Sequence, residues 1–201
     1  TDNWQVMQLA DETGAIVANN APATYAFIIK QNPIAVQRYR ATGREAIYNQ
    51  SDIKASVAAW QTHLGTRAVA FNGLPFTDYM CPVTLHGTGQ SSPFKRNQAD
   101  QSNYRSVVDL ANGAIQFFVP SFIDVSQGIN GLDVGPDVWK PFVVDFSTDS
   151  ERYPQYTWLR SPLDFTYYAA CIAYDGNVDG GIAGDYSFGL RPACWVKIED
   201  Q

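Results

Sequence analysis

Histidine is nearly absent from this chain. His63 and His86 are the only two in 201 residues, and no serine stands in a G-x-S-x-G turn, so nucleophilic catalysis has little to stand on. His63 falls near the end of a predicted helix, where a polar tip suits the helix dipole, and His86 stands alone in the loop LHGTG. Glutamate is scarce too, four against sixteen aspartates, so a paired-carboxylate hydrolase would rest on aspartate, and no pair stands out. HGTGQ lacks the Lys-Ser/Thr ending and the preceding strand of a phosphate loop. The three cysteines, Cys81, Cys171 and Cys194, have no C-x-x-C spacing. That argues against a zinc site or a disulfide framework while leaving room for one bridge. No apolar run approaches the length of a membrane span. No signal peptide is read, and since the chain begins at Thr1 that says little about compartment. A net charge of −6 argues against a nucleic-acid partner, which calls for a basic face.

What is present is an ordinary globular composition, 45% hydrophobic and 17% charged, with 15 glycines and 11 prolines. Together with the aspartates these suggest short strands and many loops. The length suits one domain, and no linker divides residues 1–201. WQVMQLADETGAIVA (4–18) alternates and breaks at Thr-Gly, which predicts a β-hairpin. Asn32-Pro33 predicts a helix ending near Gly43. A second helix follows Ser51 as N-cap, with Ile53, Val57, Trp60 and Leu64 forming an apolar stripe that should bury against a sheet. Residues 73–103 read as irregular. AIQFFVPSFIDV (114–125) reads as a strand reaching Pro120, or as a strand and then a short helix, and a further strand is expected at 142–146. From Trp158 onward come several short strands. The predicted class is α+β: two helices packed on short antiparallel strands with long loops.

The stretch from Trp158 to Val196 poses its own question. WLRSP and GLRPACWV read as fixed framework, while residues 163–188 between them read as a loose run of Asp, Tyr, Phe, Ser, Thr, Gly and Ala. Six of those 26 positions are aromatic. FTYY and DYSF place aromatics on adjacent and alternate positions, so in a strand some must face outward. Exposed Tyr among Ser, Gly and Asp is the composition of an antibody-like recognition surface. The window also contains no Lys, Glu, Gln, Met or Trp, although those types make up 25 of residues 1–162. Against that background, chance alone would give such a gap on the order of once in a hundred windows. Randomising the first two bases of an AAC or AAT codon yields fifteen residue types, and these five are the ones it never yields.

Two local features have competing readings. DGNVDG (175–180) matches the first half of a calcium loop, but position twelve is Tyr186 where a glutamate is needed. Asp175-Gly176 equally predicts a hairpin turn after AACIAY. Trp158, Arg160, Arg191 and Trp195 could clamp a ligand; as members of the framework ends they read better as core and internal support.

The pattern WLRSP…AAxxxxDGxV…GLRPAxWV resembles the C-terminal signature of a bacterial and phage domain family of otherwise unknown function. Its members resemble C-type-lectin-like and formylglycine-generating-enzyme-like folds. WQVM (4–7), YNQSDIKASVAAW (48–60) and FFVPS (117–121) follow the same order upstream. The resemblance implies a C-type-lectin-like fold and a variable protein of a diversity-generating retroelement, in which template adenines are mutagenised so that AAC codons diversify. It implies that Asp164, Phe165, Thr166, Tyr167, Tyr168, Cys171, Tyr174, Asp179, Asp185, Tyr186, Ser187 and Phe188 are variable ligand contacts. Trp158, Arg160, Ser161, Gly189, Arg191, Pro192 and Trp195 would be framework. The expected partner is a protein or glycan bound through the C-terminal surface, with no cofactor and no catalysis, and a cell surface or a virion would suit it. Two alternatives remain open at this stage. One is a fixed-specificity lectin-like or adhesion module binding a glycan, with or without calcium at 175–180. The other is an enzyme of the formylglycine-generating type, which needs a reactive cysteine pair; Cys171 and Cys194 match no such motif.

Overall fold

The structure is a computed structural model, and it describes residues 4–18, 21–43, 45–64, 75–89, 104–126, 156–163, 165–173 and 178–198. The expected hairpin forms from β1 (Trp4–Ala10) and β2 (Ile16–Val17), paired antiparallel with Leu9 opposite Val17. Its turn is held by the Asp11 carboxylate, which accepts from Thr13 N, Thr13 Oγ1 and Ala15 N. On the far side of β1 runs β3 (Tyr25–Lys30), and on β3 lies β12 (Ala193–Lys197), also antiparallel. The resulting sheet has the order β12-β3-β1-β2.

All six residues of β3 are buried. Tyr25, Phe27 and Ile29 enter one core cluster, with Leu159, Phe118 and Trp195, while Ala26 and Ile28 enter another, with Tyr48, Ile53 and Trp158. A strand covered on both faces reads as a continuous apolar run rather than an alternation, and YAFII is such a run.

The predicted helix at Asn32–Gly43 is not formed. Ala35–Arg38 is instead strand β4, paired antiparallel with β11 (Ser187–Leu190). The Asn-Pro signal is local, but Ile34 N–H already donates to Leu190 O at 2.8 Å, and the strand edge offered by β11 overrides the cap. The second predicted helix stands as α1 (Asp52–Leu64). Ser51 Oγ accepts from Lys54 N, and Ile53 and Val57 are fully buried.

The segment read as irregular contains strand β5 (Pro82–Leu85), which pairs with β6 (Ser106–Val108) and β7 (Ala114–Ile115) beyond it in a three-stranded sheet of order β6-β5-β7. After β7 the chain makes an isolated bridge from Phe118 to Ala193 and enters α2 (Phe122–Ser126), a strand followed by a short helix. The strand expected at 142–146 lies outside the described residues.

From Trp158 onward the expected strands are present: β8 (Thr157–Leu163), β9 (Phe165–Ile172) and β10 (Val178–Ile182), then β11 and β12. They build a five-stranded sheet in the order β10-β9-β8-β11-β4. Arg40 N donates to Ala183 O at 3.0 Å, tying the chain after β4 to the chain after β10. The fold is therefore mainly β. Three sheets carry it, and among the described residues α1 is the one long helix. This corrects the expected α+β class, and with it the C-type-lectin-like arrangement of two helices on short strands: one helix proves to be an edge strand, and pairings distant in sequence dominate.

Candidate functional site

The site is best described from its support upward. Arg160 of WLRSP is buried, and its guanidinium is paired with the buried Asp124 carboxylate. It also donates to Tyr104 O and, at 3.1 Å, to Val119 O, and it lies over the Phe118 ring. The same carboxylate accepts from Ser106 N at 2.7 Å, Ser106 Oγ at 2.9 Å and Ser121 N at 2.9 Å. Ser106 Oγ accepts in turn from Trp195 Nε1, and Ser161 Oγ from Phe122 N. WLRSP, FFVPS and GLRPACWV thus meet at one buried polar knot, in which the Asp124 carboxylate and two carbonyls pair the guanidinium's outer nitrogens while Arg160 Nε has no hydrogen-bond partner. Trp158 is wholly buried, with its Nε1 donating to Gln37 O at 2.9 Å. Arg191 is also buried, which lowers its pKa to about 10. The four residues Trp158, Arg160, Arg191 and Trp195 face inward as framework, not outward as a clamp.

On this support the aromatic window divides sharply. Phe165, Thr166 and Tyr167 are exposed and Tyr168 is half-buried, whereas the following residues of β9 are covered. The rings of Phe165 and Tyr167 stack at 5.5 Å, and Tyr168 sits 5.1 Å from Tyr167. A second group stands on the chain around β11. Asp185, Tyr186 and Ser187 are exposed, Tyr186 stacks on Phe188 at 5.7 Å, and Phe188 stacks on Tyr156 at 4.9 Å. Trp158 floors this group, 4.3 Å from Phe188.

Between the two groups lies a cleft of about 290 Å³ lined by Tyr156, Tyr168, Asp179, Gly180, Tyr186 and Phe188. Its shape depends on missing side chains. A Cβ on Gly180 would come within 2.7 Å of Leu163 and 3.2 Å of Tyr168, and one on Gly181 within 2.5 Å of Phe188 and 2.8 Å of Trp158. The two glycines of β10 let the rings close over the strand. The backbone beneath is pinned as well: Thr166 O accepts from Ala46 N at 2.7 Å and Tyr167 O from Ala183 N at 3.0 Å. Exposed rings therefore project from a fixed platform.

Of the expected contacts, Tyr168, Asp179, Tyr186 and Phe188 line the cleft, Phe165 and Tyr167 are linked to it through their ring contacts with Tyr168, and Thr166, Asp185 and Ser187 are exposed but do not line it. Asp164 and Tyr174 lie outside the described residues. Cys171 does not join them; it is wholly buried in the core beside Ala169 and Trp158. Tyr156 was missed because it precedes the codon-restricted window. The available signal was its position two residues before Trp158, on the same side of an extended chain.

All three cysteines are buried. Burial pushes the Cys81 thiol up to about 11 and raises Cys194 as well, with Cys81 adding to that shift, so neither is held as the thiolate that nucleophilic chemistry needs. At 175–180, β9 and β10 pair as a hairpin with Val178 opposite Ile172, while residues 175–177 lie outside the described residues. Asp179 Oδ1 accepts from its neighbour Gly180 N at 2.8 Å. Among the described residues no group of three His, Cys, Asp or Glu side chains could hold a metal ion, and no helix is long and apolar enough to cross a membrane.

A second, polar cleft of about 260 Å³ lies beside α1. Its side chains are engaged with one another, Lys54 Nζ with Asn49 Oδ1 at 2.7 Å and Asn49 Nδ2 with Thr88 Oγ1 at 2.9 Å.

Neither a curated protein nor a solved structure matches the chain. Residues 117–198 match the model of one family, described as Domain of unknown function (DUF6273). The matched span begins at FFVPS and ends just past β12, so it takes in the Arg160–Asp124 pair and all six residues of the aromatic cleft.

Proposed function

We propose that this is a ligand-binding protein whose contact surface is diversified, a variable protein of the kind served by diversity-generating retroelements. It acts by recognition of a protein or glycan and not by catalysis. One observation supports the reading: four of the expected contacts, Tyr168, Asp179, Tyr186 and Phe188, line one cleft and the other five described on the surface are exposed, while the residues that flank the window are buried. Aromatic side chains bring large contact area at small entropic loss, and Ser, Thr and Asp beside them bring adaptable polar contacts. A rigid platform keeps the ordering needed on binding low.

The test is the DNA flanking the gene. The reading expects a second, imperfect copy of the Trp158–Trp195 coding stretch that differs mainly where it carries adenines, with a reverse transcriptase nearby. Absence of any such copy would end the diversification reading and leave a binding module of fixed specificity.

A further inference from the structure

The polar cleft beside α1 is built from other residues than the aromatic surface, and its chemistry is its own. We infer that it is a second binding site, one that takes the carboxylate of a small hydroxy acid. Of the described residues that line it, Lys54 alone carries a charge. Lys54 is half-buried, and no carboxylate among the described residues pairs with it; its ammonium donates to Asn49 Oδ1 at 2.7 Å. Asp52 stands two positions away in the same turn, which on a helix is a different face, and its Oδ2 accepts from Ala41 N. A cation in the first turn also stands against the helix dipole. The chain thus keeps an unneutralised charge at a cleft, in a place where the local field disfavours it.

Donor counting defines the occupant. The Lys54 ammonium has three N–H groups and gives one to Asn49 Oδ1. Asn49 Nδ2 gives one of its two to Thr88 Oγ1 at 2.9 Å, and the Thr88 hydroxyl, accepting there, keeps its own proton to donate. The spare capacity of this linked trio is therefore almost all donor. An ionised carboxylate accepts and never donates, and its bonds to an ammonium are of the stronger, charge-assisted kind. A neutral amide in the same place would bring N–H groups with nothing to receive them. Gln116 supplies the complement: its Nε2 is drawn to Val83 O at 3.4 Å, leaving Oε1 to accept from a hydroxyl of the same ligand. The helix end itself is not the site, because Asp52 N and Ile53 N donate to Tyr39 O and Lys54 N to Ser51 Oγ. Asp109 does not line the cleft, and its oxygens are filled by Thr84 Oγ1 at 2.8 Å and Asn112 N at 2.9 Å. The net charge of −6 repels an anion at long range, so selection falls to contact with Lys54. A volume of about 260 Å³ lies below the usual range for drug-sized ligands and suits a small acid.

The experiment titrates the full chain with D-glycerate and, in parallel, with D-glyceramide, the uncharged amide of the same shape, following the side-chain amide resonances of Asn49 by NMR. Glycerate is expected to shift them and to bind at least about tenfold more tightly than glyceramide, a difference of about 1.4 kcal/mol. Lys54→Gln keeps a good helix former and removes the charge; it should weaken glycerate at least about fivefold. Thr88→Val, which keeps the shape and removes the hydroxyl, should weaken it about threefold. Equal binding of glyceramide, no shift with glycerate, or undiminished affinity in Lys54→Gln would each overturn the inference. Sulfate binding as tightly as glycerate would overturn it too, by marking a site for anions at large. The comparison of glycerate with glyceramide uses the unaltered protein, so it does not depend on how a variant folds. None of these residues lines the aromatic cleft, so failure here leaves the proposed function standing, and a missing template copy leaves this site standing.

Discussion

Strands β8 and β9 lie side by side in one sheet and are separated in the chain by Asp164 alone, yet they lead opposite lives. Every residue of β8 is buried, including the arginine and serine of WLRSP. The neighbouring β9 starts with three exposed residues, two of them aromatic, and ends with four buried ones. Hydrophobicity does not separate them, since FTYY is at least as apolar as TWLR. Cover separates them. The buried stretch lies under the Arg160–Asp124 knot and the rings of both core clusters, while the outer end of β9 is tied by its backbone to Ala46 and Ala183 and leaves Phe165 and Tyr167 exposed. One sheet can thus hold a fixed half and a free half, provided that the backbone of the free half is tied down by hydrogen bonds.

The sharpest way to break this comparison is to attack the fixed half. Asp124→Ala strands a buried guanidinium and leaves the Ser106 and Ser121 amides without their acceptor. Stability measured by urea denaturation should fall by about 3–5 kcal/mol. The double replacement Asp124→Leu with Arg160→Met should recover much of that loss, because removing both charges is far milder than removing one.

Next in size is the seam between the halves. Gly181→Ala forces a methyl against Phe188 and Trp158, which should lower stability by about 1–3 kcal/mol. It should also displace Phe188, so the environment of the Tyr186 ring ought to change in the NMR spectrum. An unshifted Tyr186 would show that the two rings are not coupled through β10.

Alkali should have a smaller effect, confined to the buried half. The Cys81 thiol is pushed from an ordinary value of 9.0 up to about 11 by burial. It stays neutral in the folded chain while the unfolded chain ionises first. Its contribution to stability is therefore whole below about pH 9 and is lost as pH climbs toward 11. The urea midpoint should be flat near neutrality and fall above about pH 9, and Cys81→Ala should flatten part of that fall.

The smallest effect on stability belongs to the free half. Tyr167→Ala and Tyr186→Ala should each change it by less than about 0.5 kcal/mol, yet each should weaken binding of a cognate ligand by about tenfold or more if the ring is an anchor. A large loss of stability in either would place that ring in the framework.

The sequence made some of this legible and concealed the rest for identifiable reasons. Helix α1 stood out because its stripe of Ile53, Val57 and Trp60 and its Ser51 cap are local signals that agree. The hairpin at Thr13-Gly14 and the strands after Trp158 were legible in the same way. Strand β4 was not, because the Asn-Pro start is local whereas its partner β11 lies some 150 residues away. The buried run of β3 gave no alternation to detect. At the site, the missing residue types drew attention to the window that carries the exposed rings, but codon chemistry knows nothing of exposure. It therefore swept in Cys171, which is buried, and passed over Tyr156, which is not part of the window. Gly180 and Gly181 could not be assigned from composition; their role depends on rings brought in from β8, β9 and β11.

Strand β12 has a consequence for how variants would be sorted. It is encoded after the window at 163–188, yet it pairs residue by residue with β3, Cys194 opposite Ile28, and brings Trp195 into the core. A frameshift anywhere in the window would scramble β12 and deny β3 its partner, so such a product could not complete the first sheet. Codons altered at their first two bases and still ending in C or T cannot become stop codons, which end in A or G. On the proposed mode of variation, then, the fold accepts a change of meaning in the window but not a change of reading frame, and the act of folding would itself proofread the gene.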